Sequence, residues 1–348
     1  MAKDAKTIFS GLKGPGIWAS LRELMHPREI ECLQVEVTSC CPGKCTYCPH
    51  TTRADVWKSR HMHPETFAAL YPIMQKTTRV HLQGWGEPFL NPWFMDFVEL
   101  ARRAGCAVST TTCGLRMDEA LAEALVESGV DIIAFSLVGT DEESNAARAG
   151  VPFFRVEEAV RMLQAARKKH NAVHLEIHLA YLMLASNVEA VRGLPKLMDE
   201  WGVHAVVVST MDYIPSPEME HEAFAPHERE KIEAARVVLE EVGAEVRAAG
   251  RDFYASLPAP EPAPCCRERA HRTLYADASG EISPCVYLNV PLDAEQPRRT
   301  VFGQVSEADP VAIWDIPEYQ SFRRAVETAD PPAACVSCAK RFEAPCAE

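Results

Sequence analysis

Long apolar runs and an excess of basic residues are both missing from this sequence of 348 residues. It contains no stretch of about 18 consecutive apolar residues, the length that crosses a membrane, and no charged N-terminal segment followed by the apolar run of a signal peptide. Lys and Arg total 36 against 49 Asp and Glu, which gives a formal charge of −13 without a basic stripe. We therefore expect a cytoplasmic protein whose partners include neither nucleic acid nor a membrane.

Cysteine, by contrast, is abundant, since the chain has 13. Disulfides are rare in a reducing cytoplasm, so metal binding or redox chemistry is the better explanation for so many thiols. Four of the cysteines stand in the segment TSCCPGKCTYCPH, which directly follows a strand-like run. Within this segment Cys41, Cys45 and Cys48 have the spacing Cys-x₃-Cys-x₂-Cys.

Two kinds of metal site are compatible with this spacing. Three closely spaced thiolates can hold three irons of a four-iron cluster, which leaves the fourth iron open to a small molecule. Alternatively, His50 completes a Cys₃His zinc site. Cys40 could replace Cys41 in either site, but the three-residue gap before Cys45 favours Cys41.

Strand-like runs alternate with amphipathic helix patterns between Glu31 and about Gly243. The runs are ECLQVEVTS, TRVHLQGWG, CAVSTTTC, VDIIAFSLVG, AVHLEIHLAYL and HAVVVSTM. The helix patterns are Pro64–Met74, Pro92–Ala104, Asp118–Ser128, Arg155–Lys169, Val188–Trp201 and His227–Val246. Such alternation predicts a parallel sheet with right-handed crossovers, either as an incomplete (β/α) barrel or as a doubly wound sheet.

The sequence pattern changes after Gly250. Ser256–Pro264, SLPAPEPAP, cannot continue a helix and predicts a stiff linker, and TLYADASGEISPCVYL predicts a β-hairpin that turns at Ala-Ser-Gly. The region contains Cys265, Cys266, Cys285, Cys335, Cys338 and Cys346. We therefore expect an N-terminal segment at 1–30, an α/β domain at 31–250 and a small cysteine-rich extension at 251–348.

Two motifs give the chain a resemblance to the radical S-adenosylmethionine (SAM) superfamily. The family's Cys-x₃-Cys-x₂-Cys loop binds a [4Fe–4S] cluster whose open iron chelates SAM, and the aromatic residue before its last cysteine, here Tyr47, lies near the adenine. A Gly-Gly-Glu-Pro motif at the end of the second strand receives the SAM amino group. GWGEP is similar to it, with Trp85 between the glycines. The resemblance implies a partial (β/α)6 TIM-like barrel in which Gly84, Gly86, Glu87 and Pro88 bind SAM.

The resemblance extends less closely to the third and fourth strands. Ser136 matches a serine that approaches the SAM carboxylate or ribose, and Arg148 matches an arginine for the same carboxylate, although it could equally be a solvated surface charge. Cys113 stands where the family commonly has Asn. It is either a small neutral core residue, which we favour, or an additional thiol near the site.

The cysteine-rich tail resembles the SPASM or twitch extension of many radical SAM enzymes. A complete SPASM pattern has seven cysteines and two auxiliary clusters, whereas this tail has six cysteines. The resemblance therefore implies one auxiliary [4Fe–4S] cluster with Cys266, Cys285, Cys335 and Cys338 as ligands, and Cys265 and Cys346 as substitutes. A structural zinc ribbon is the alternative.

Polar residues alternate along several of the predicted strands, which places each set on one face. They are Gln34 and Glu36 on the first strand, His81 and Gln83 on the second, and His174, Glu176 and His178 on the fifth. Since buried parallel strands are normally apolar on both faces, these residues indicate a polar barrel interior or, alternatively, solvated strand ends.

The resemblance implies an enzyme that cleaves SAM reductively to a 5′-deoxyadenosyl radical and abstracts hydrogen from a substrate. Peptide, protein or cofactor-precursor maturation and dehydrogenation are the expected reactions, with ferredoxin or flavodoxin as electron donor. No catalytic side chain is predicted. The first 30 residues look too short for a separate leader-binding domain, which weighs against a leader-dependent peptide maturase. The alternative is a non-catalytic zinc or iron–sulfur electron-carrier protein.

Overall fold

The computed structural model describes residues 4–10, 12, 28–263 and 266–345. Cys265 and Cys346, the predicted substitute ligands, lie outside these ranges. Among the described residues, no helix is both long enough and apolar enough to span a membrane.

Seven strands form a parallel sheet in chain order, each paired with the next. They are β1 (Ile30–Val35), β2 (Thr77–His81), β3 (Ala107–Thr112), β4 (Ile132–Leu137), β5 (Glu176–Leu182), β6 (Ala205–Ser209) and β7 (Asp252–Pro258). The first six are the six predicted strands. Because the sheet does not close within the described residues, the predicted partial barrel is confirmed, with one strand more than expected.

Most of the described helices lie in the connections between consecutive strands. The helices are α1 (Ala5–Phe9), α2 (Pro49–Thr52), α3 (Pro64–Ala69), α4 (Tyr71–Met74), α5 (Phe94–Arg103), α6 (Glu119–Ser128), α7 (Phe153–Lys169), α8 (Leu194–Trp201), α9 (Arg229–Ala248), α10 (Pro310–Trp314) and α11 (Pro317–Ala325). Local sequence sets their ends: the Asp118 carboxylate accepts the N–H of Leu121 at the start of α6, and Gly129, at φ 76°, ends it.

Strand alternation separates the core from the barrel interior. Leu33 and Val35 of β1 point to the helices and are fully buried, as are Val80 of β2 and Ile177 of β5. The residues between them face the opposite side. The period of two that predicts strands in the sequence therefore also determines which side chains can reach a site inside the barrel.

The prediction of a linker at Ser256–Pro264 is wrong for the first three residues, which belong to β7. Leu257 is fully buried, and Ser256–Pro258 pairs antiparallel with β11 (Glu343–Pro345). A proline lacks the N–H that a central strand must donate, but it is tolerated where a strand lies near a sheet edge. The proline content was therefore a misleading sign of a linker.

The extension continues the sheet from its other edge. β8 (Thr273–Ala276) pairs parallel with β1, and β9 (Glu281–Ser283) and β10 (Gly303–Gln304) follow in antiparallel order. The predicted hairpin is thus found between β8 and β9. In its turn the Asp277 carboxylate accepts the N–H groups of Ser279 and Glu281, and Gly280 supplies the φ of 92°.

Candidate active site

A cavity of about 380 Å³ opens at the carboxyl ends of the parallel strands, where α/β barrels build their sites. We call it the reactive cavity. Its lining includes all three cysteines of the predicted cluster loop and every predicted SAM-binding residue except Pro88. These residues are Cys41, Cys45, Cys48, Tyr47, Gly84, Gly86, Glu87, Ser136 and Arg148. Pro88 is instead buried at the start of a short 3₁₀ helix, Pro88–Leu90.

Backbone hydrogen bonds connect the cysteine loop to the loop after β4. The Lys44 N–H donates to the Ala149 carbonyl at 2.7 Å and the Thr46 N–H to the Ala147 carbonyl at 2.9 Å. A Cβ on Gly43 would lie 3.6 Å from the Cys41 sulfur and 3.7 Å from the Cys45 sulfur, so both sulfurs face the inside of the loop. Cys40 does not line the cavity, which agrees with the preference for Cys41.

Burial favours the neutral thiol at two cysteines of the loop, Cys41 and Cys48. It raises the pKa of Cys41 to about 11 and that of Cys48 to about 12, and the neighbouring thiols and carboxylate add to the effect. A thiolate is the form that binds iron. The donor set therefore fits an iron–sulfur cluster, whose positive irons would replace these protons.

Arg148 is a buried cation in the wall of the reactive cavity. Its side chain is 4% exposed, and its Nε finds no hydrogen-bond partner among the described residues. The alternative of a solvated surface charge is therefore wrong. A buried guanidinium with an unused donor fits an anionic group in the cavity, and the carboxylate of SAM is such a group.

The glycines of GWGEP let two backbone segments approach each other closely. A Cβ on Gly86 would lie 2.3 Å from the Thr38 carbonyl oxygen and 2.7 Å from that of Cys40, and a Cβ on Gly84 would lie 2.5 Å from the Glu36 side chain. Real Cβ atoms do not approach other atoms below about 3.0 Å. Glycine is thus required at position 86 for the second-strand loop to lie against the cysteine loop, and at position 84 for it to lie against the Glu36 side chain.

Glu87 lines the reactive cavity with a carboxylate that is also hydrogen-bonded to its neighbours. Its Oε1 accepts the Thr112 hydroxyl at 2.7 Å and the Phe89 N–H at 3.3 Å, and its Oε2 accepts the Cys113 N–H at 2.7 Å. The carboxylate therefore ties the second-strand loop to the end of β3 while it lines the cavity. Cys113 combines both of its predicted alternatives, because its buried neutral thiol belongs to the core and also lines the cavity.

The polar interior predicted for β1 and β2 is present. Gln34 donates to the carbonyl and the side-chain oxygen of Gln83, and His81 contacts the Ser109 hydroxyl at 2.8 Å. Glu36 is fully buried. Burial raises the pKa of Glu36 to about 7 and lowers that of His81 to about 4. Both side chains therefore lie in a poorly solvated interior.

On β5 the solvated-end alternative is correct instead. His174 is exposed, and Glu176, whose side chain is 52% exposed, pairs with His178 at 2.7 Å. These residues lie at the amino end of the strand, whereas the reactive cavity lies at the carboxyl end.

An aromatic and ionic cluster in the opposite wall was not predicted. Asp212, just after β6, accepts the Tyr287 hydroxyl at 3.1 Å and pairs with Lys340 of the extension at 2.7 Å. The Trp85 ring lies 5.4 Å from Tyr213 and 6.3 Å from Tyr287, edge-on to both. The Trp85 insertion in GWGEP was the one sequence signal that pointed to this wall.

The four predicted ligands of the auxiliary cluster lie together beneath this wall. Cys266, Cys285, Cys335 and Cys338 are each 8–9% exposed. Burial raises the pKa of Cys266 to about 11 and of Cys335 to about 12, and carries that of Cys285 well above its usual range. The charge of Cys338 contributes at all three positions. Four mutually close, buried thiols fit an iron–sulfur cluster.

The described part of the chain has no three His, Cys, Asp or Glu side chains close enough together to hold a single metal ion. The ligands of a four-iron cluster each bind a different iron, so their sulfurs stand farther apart than the ligands of one ion. His50, the proposed zinc ligand, packs edge-on against Trp57 at 5.3 Å and does not line the reactive cavity.

Two family models match the chain. The radical SAM superfamily matches residues 35–182, and SPASM, an iron–sulfur cluster-binding domain, matches residues 265–339. The chain therefore belongs to the radical SAM superfamily and carries a SPASM domain. It is a radical SAM enzyme whose cofactors are SAM and [4Fe–4S] clusters, and the zinc or electron-carrier alternative is not favoured.

Individual relatives extend over most of the chain. The PqqA peptide cyclase of Gluconobacter oxydans strain 621H is 26% identical over 315 residues, covering 89% of this chain and 82% of the relative. The solved structure of native anSMEcpe with bound AdoMet has a TM-score of 0.65 at 15% identity, covering 88% and 86%. Streptococcus suis SuiB bound to S-adenosylmethionine also has 0.65 at 15% identity, covering 92% and 74%. These two structures share the fold.

Proposed function

We propose that this enzyme matures a peptide or protein in the cytoplasm, with electrons from a ferredoxin or flavodoxin. The observation that carries the proposal is the reactive cavity, which is lined by the cysteine loop, by GWGEP and, from the SPASM domain, by Tyr287. The similarity to PqqA peptide cyclases supports a peptide substrate. The fold alone would fit several substrate classes.

In this proposal each cysteine set holds one cluster. Cys41, Cys45 and Cys48 bind the first cluster, and Cys266, Cys285, Cys335 and Cys338 bind the auxiliary one. A [4Fe–4S] cluster held by Cys41, Cys45 and Cys48 would supply the electron for reductive cleavage of SAM, and the 5′-deoxyadenosyl radical so formed would take hydrogen from the substrate.

The chain's own groups orient SAM and exclude water. Arg148 provides a fixed positive charge for the SAM carboxylate, and Tyr47 and Ser136 line the cavity around the nucleoside. Glu87 holds the loop of Gly84–Pro88 in place, and Trp85 of that loop packs edge-on against Tyr287 of the SPASM domain at the cavity.

We also propose that the chain divides into an N-terminal segment, an α/β barrel and a C-terminal extension. The expected ranges are 1–30, 31–250 and 251–348, and the boundary of the barrel moves from residue 250 to Pro258 because β7 ends there.

Cluster loading and SAM cleavage test the class of reaction. Reconstituted without oxygen, the protein should bind about eight irons per chain, and dithionite with SAM should yield 5′-deoxyadenosine. Cys45→Ala should abolish this product because the cluster loses one of three anchors, whereas Cys40→Ala should keep it. Unchanged cleavage by Cys45→Ala would refute the ligand assignment.

Hydrogen transfer tests the substrate class. Cytosol from the source organism grown in heavy water is separated by size, and each fraction is incubated with enzyme, dithionite and SAM. A peptide or protein substrate should transfer deuterium to 5′-deoxyadenosine from the large fraction, and protease treatment of that fraction should remove the signal. Deuterium transfer from the small, protease-resistant fraction alone would refute a peptide substrate.

A further inference from the structure

Two arginines of the SPASM domain are hydrogen-bonded to the backbone beside the four-cysteine site. The backbone N–H of Arg341, which is 6% exposed, donates to the Cys338 carbonyl at 3.0 Å. The Nε of Arg298, which is partly buried, donates to the Ala334 carbonyl at 2.7 Å. Ala334 directly precedes Cys335. Both arginines are therefore held next to proposed ligands of the auxiliary cluster.

Each of the two guanidinium groups has a buried nitrogen that makes no hydrogen bond. The Nε of Arg341 and the Nη2 of Arg298 are buried from solvent and find no partner among the described residues. In that part of the chain neither arginine has a carboxylate within ion-pair distance, whereas Lys340 pairs with Asp212 at 2.7 Å and with Glu268 at 3.4 Å. A guanidinium stays charged when it is buried, and leaving it unpaired is costly. Both arginines therefore fit an anionic group beside them.

The auxiliary cluster is the anionic group that fits this position. Burial raises the pKa of Cys335 to about 12, and the neighbouring thiols add to the rise. The positive charges of Arg298 and Arg341 oppose it, so both act at a proposed iron ligand. Four thiolates outweigh the positive charge of a four-iron core. The cluster would therefore be negative when bound, and more negative after it gains an electron.

We propose that Arg298 and Arg341 are positioning residues that supply positive charge and N–H donors to the auxiliary cluster and so raise its reduction potential. This rests on the proposed assignment of that cluster to the SPASM cysteines and adds what sets its potential. Fixed positive charge stabilises the reduced form more than the oxidised form, and hydrogen bonds to the sulfurs act in the same direction. The four cysteines are each 8–9% exposed, so solvent screens these charges poorly.

A redox titration followed by electron paramagnetic resonance tests the role of the two charges. The protein carries both clusters, and the signal that Cys285→Ala removes identifies the auxiliary one. Dithionite supplies the electron, so the cluster gains one electron while no bond forms or breaks. The double variant Arg298→Gln, Arg341→Gln should lower the equilibrium constant of this reduction at least tenfold, which is about 59 mV for one electron. Its iron content should stay at about eight per chain.

Two further variants separate the charge from the structure of the site. The double variant Arg298→Lys, Arg341→Lys keeps both charges and should retain most of the potential. Arg299→Gln is the matched control, because Arg299 adjoins Arg298 in sequence but is 40% exposed and already pairs with Glu281. Its auxiliary cluster should have the potential of the unmodified protein.

An unchanged auxiliary potential in the double Gln variant, at full iron content, would overturn the inference and leave the proposed function standing. If that variant does not load the auxiliary cluster, the double Lys variant decides. A loaded cluster at nearly the unmodified potential supports the role of the charges, whereas loss of the cluster there would overturn it in favour of a purely structural role. An unmodified protein that binds only about four irons, with no signal removed by Cys285→Ala, would remove the auxiliary cluster from the proposed function, and the inference with it.

Discussion

Replacing Gly86 by Ala tests how closely the second-strand loop must lie against the cysteine loop. The added methyl would stand 2.3 Å from the Thr38 carbonyl oxygen and 2.7 Å from that of Cys40. To restore the 3.0 Å limit, the added methyl and the Thr38 carbonyl oxygen must move apart by at least 0.7 Å (3.0 minus 2.3). Both obstacles are backbone atoms, and the Glu87 N–H is bonded to the Cys40 carbonyl at 2.8 Å. The shift must therefore move the backbone next to Cys41.

The expected cost follows from forcing a methyl group into a packed site, ~1–3 kcal/mol. If SAM binding requires the original loop positions, this strain weakens SAM binding about 5- to 150-fold, at about 1.4 kcal/mol for each factor of ten. The melting temperature of the protein should also fall by a few degrees.

Isothermal titration of SAM into the cluster-loaded protein measures the first effect, and a thermal melt measures the second. Gly250→Ala is the control, since Gly250 has φ 74° but nothing within 4 Å of its added Cβ. It should lower the melting temperature, because a left-handed backbone costs ~1–2 kcal/mol for an alanine, without changing SAM affinity. Equal SAM affinity in Gly86→Ala and the unmodified protein would refute the close-approach explanation.

Two further predictions concern the auxiliary site and the barrel interior. Cys285→Ala should halve the iron content and abolish product while SAM cleavage without substrate persists; a soluble variant that still makes full product would remove Cys285 from the ligand set. Burial raises the pKa of Glu36 to about 7, against an ordinary 4.5. The protonated carboxyl therefore stabilises the fold fully below pH 4.5, and this contribution is lost as pH rises through 7. Unfolding by urea should therefore become easier between pH 5 and pH 8, by up to ~3 kcal/mol from this group. Glu36→Gln should flatten that dependence, and an identical pH dependence in both proteins would contradict the assignment.

Local pattern was sufficient to predict most of the barrel. The alternation of Leu33 and Val35 with Gln34 and Glu36 determines both the strand and its two faces, and Asp118 marks the start of α6 because capping depends on neighbouring residues alone. The cysteine loop could be predicted for the same reason, since its three ligands are close in sequence. β7 was missed because prolines near Pro258 resemble a linker, while the pairing that makes it a strand comes from β6 and β11.

The wall opposite the cysteine loop could not be predicted from local pattern. Asp212, Tyr287 and Lys340 come from three distant parts of the chain, and each is an ordinary residue in its own segment. Arg148 was ambiguous because the surrounding DEESNAARAG is polar enough for a surface loop. Its burial results from the cysteine loop that packs over it through Lys44 and Thr46, which is a tertiary contact.

The parallel pairing of β8 with β1 makes the SPASM domain part of the barrel's hydrogen-bonding pattern. The N–H groups of Glu31 and Glu36 donate to the carbonyls of Arg272 and Ala276, each at 2.8 Å. Without residues beyond Pro258, β1 would become an unprotected edge strand whose free N–H and C=O groups could pair with another chain. A shortened barrel should therefore aggregate. β1 can pair with β2 early, but the partner of its other edge lies more than 200 positions later in the sequence. The strand that leads into the first cluster's loop therefore becomes fully bonded only when the domain of the second cluster is in place.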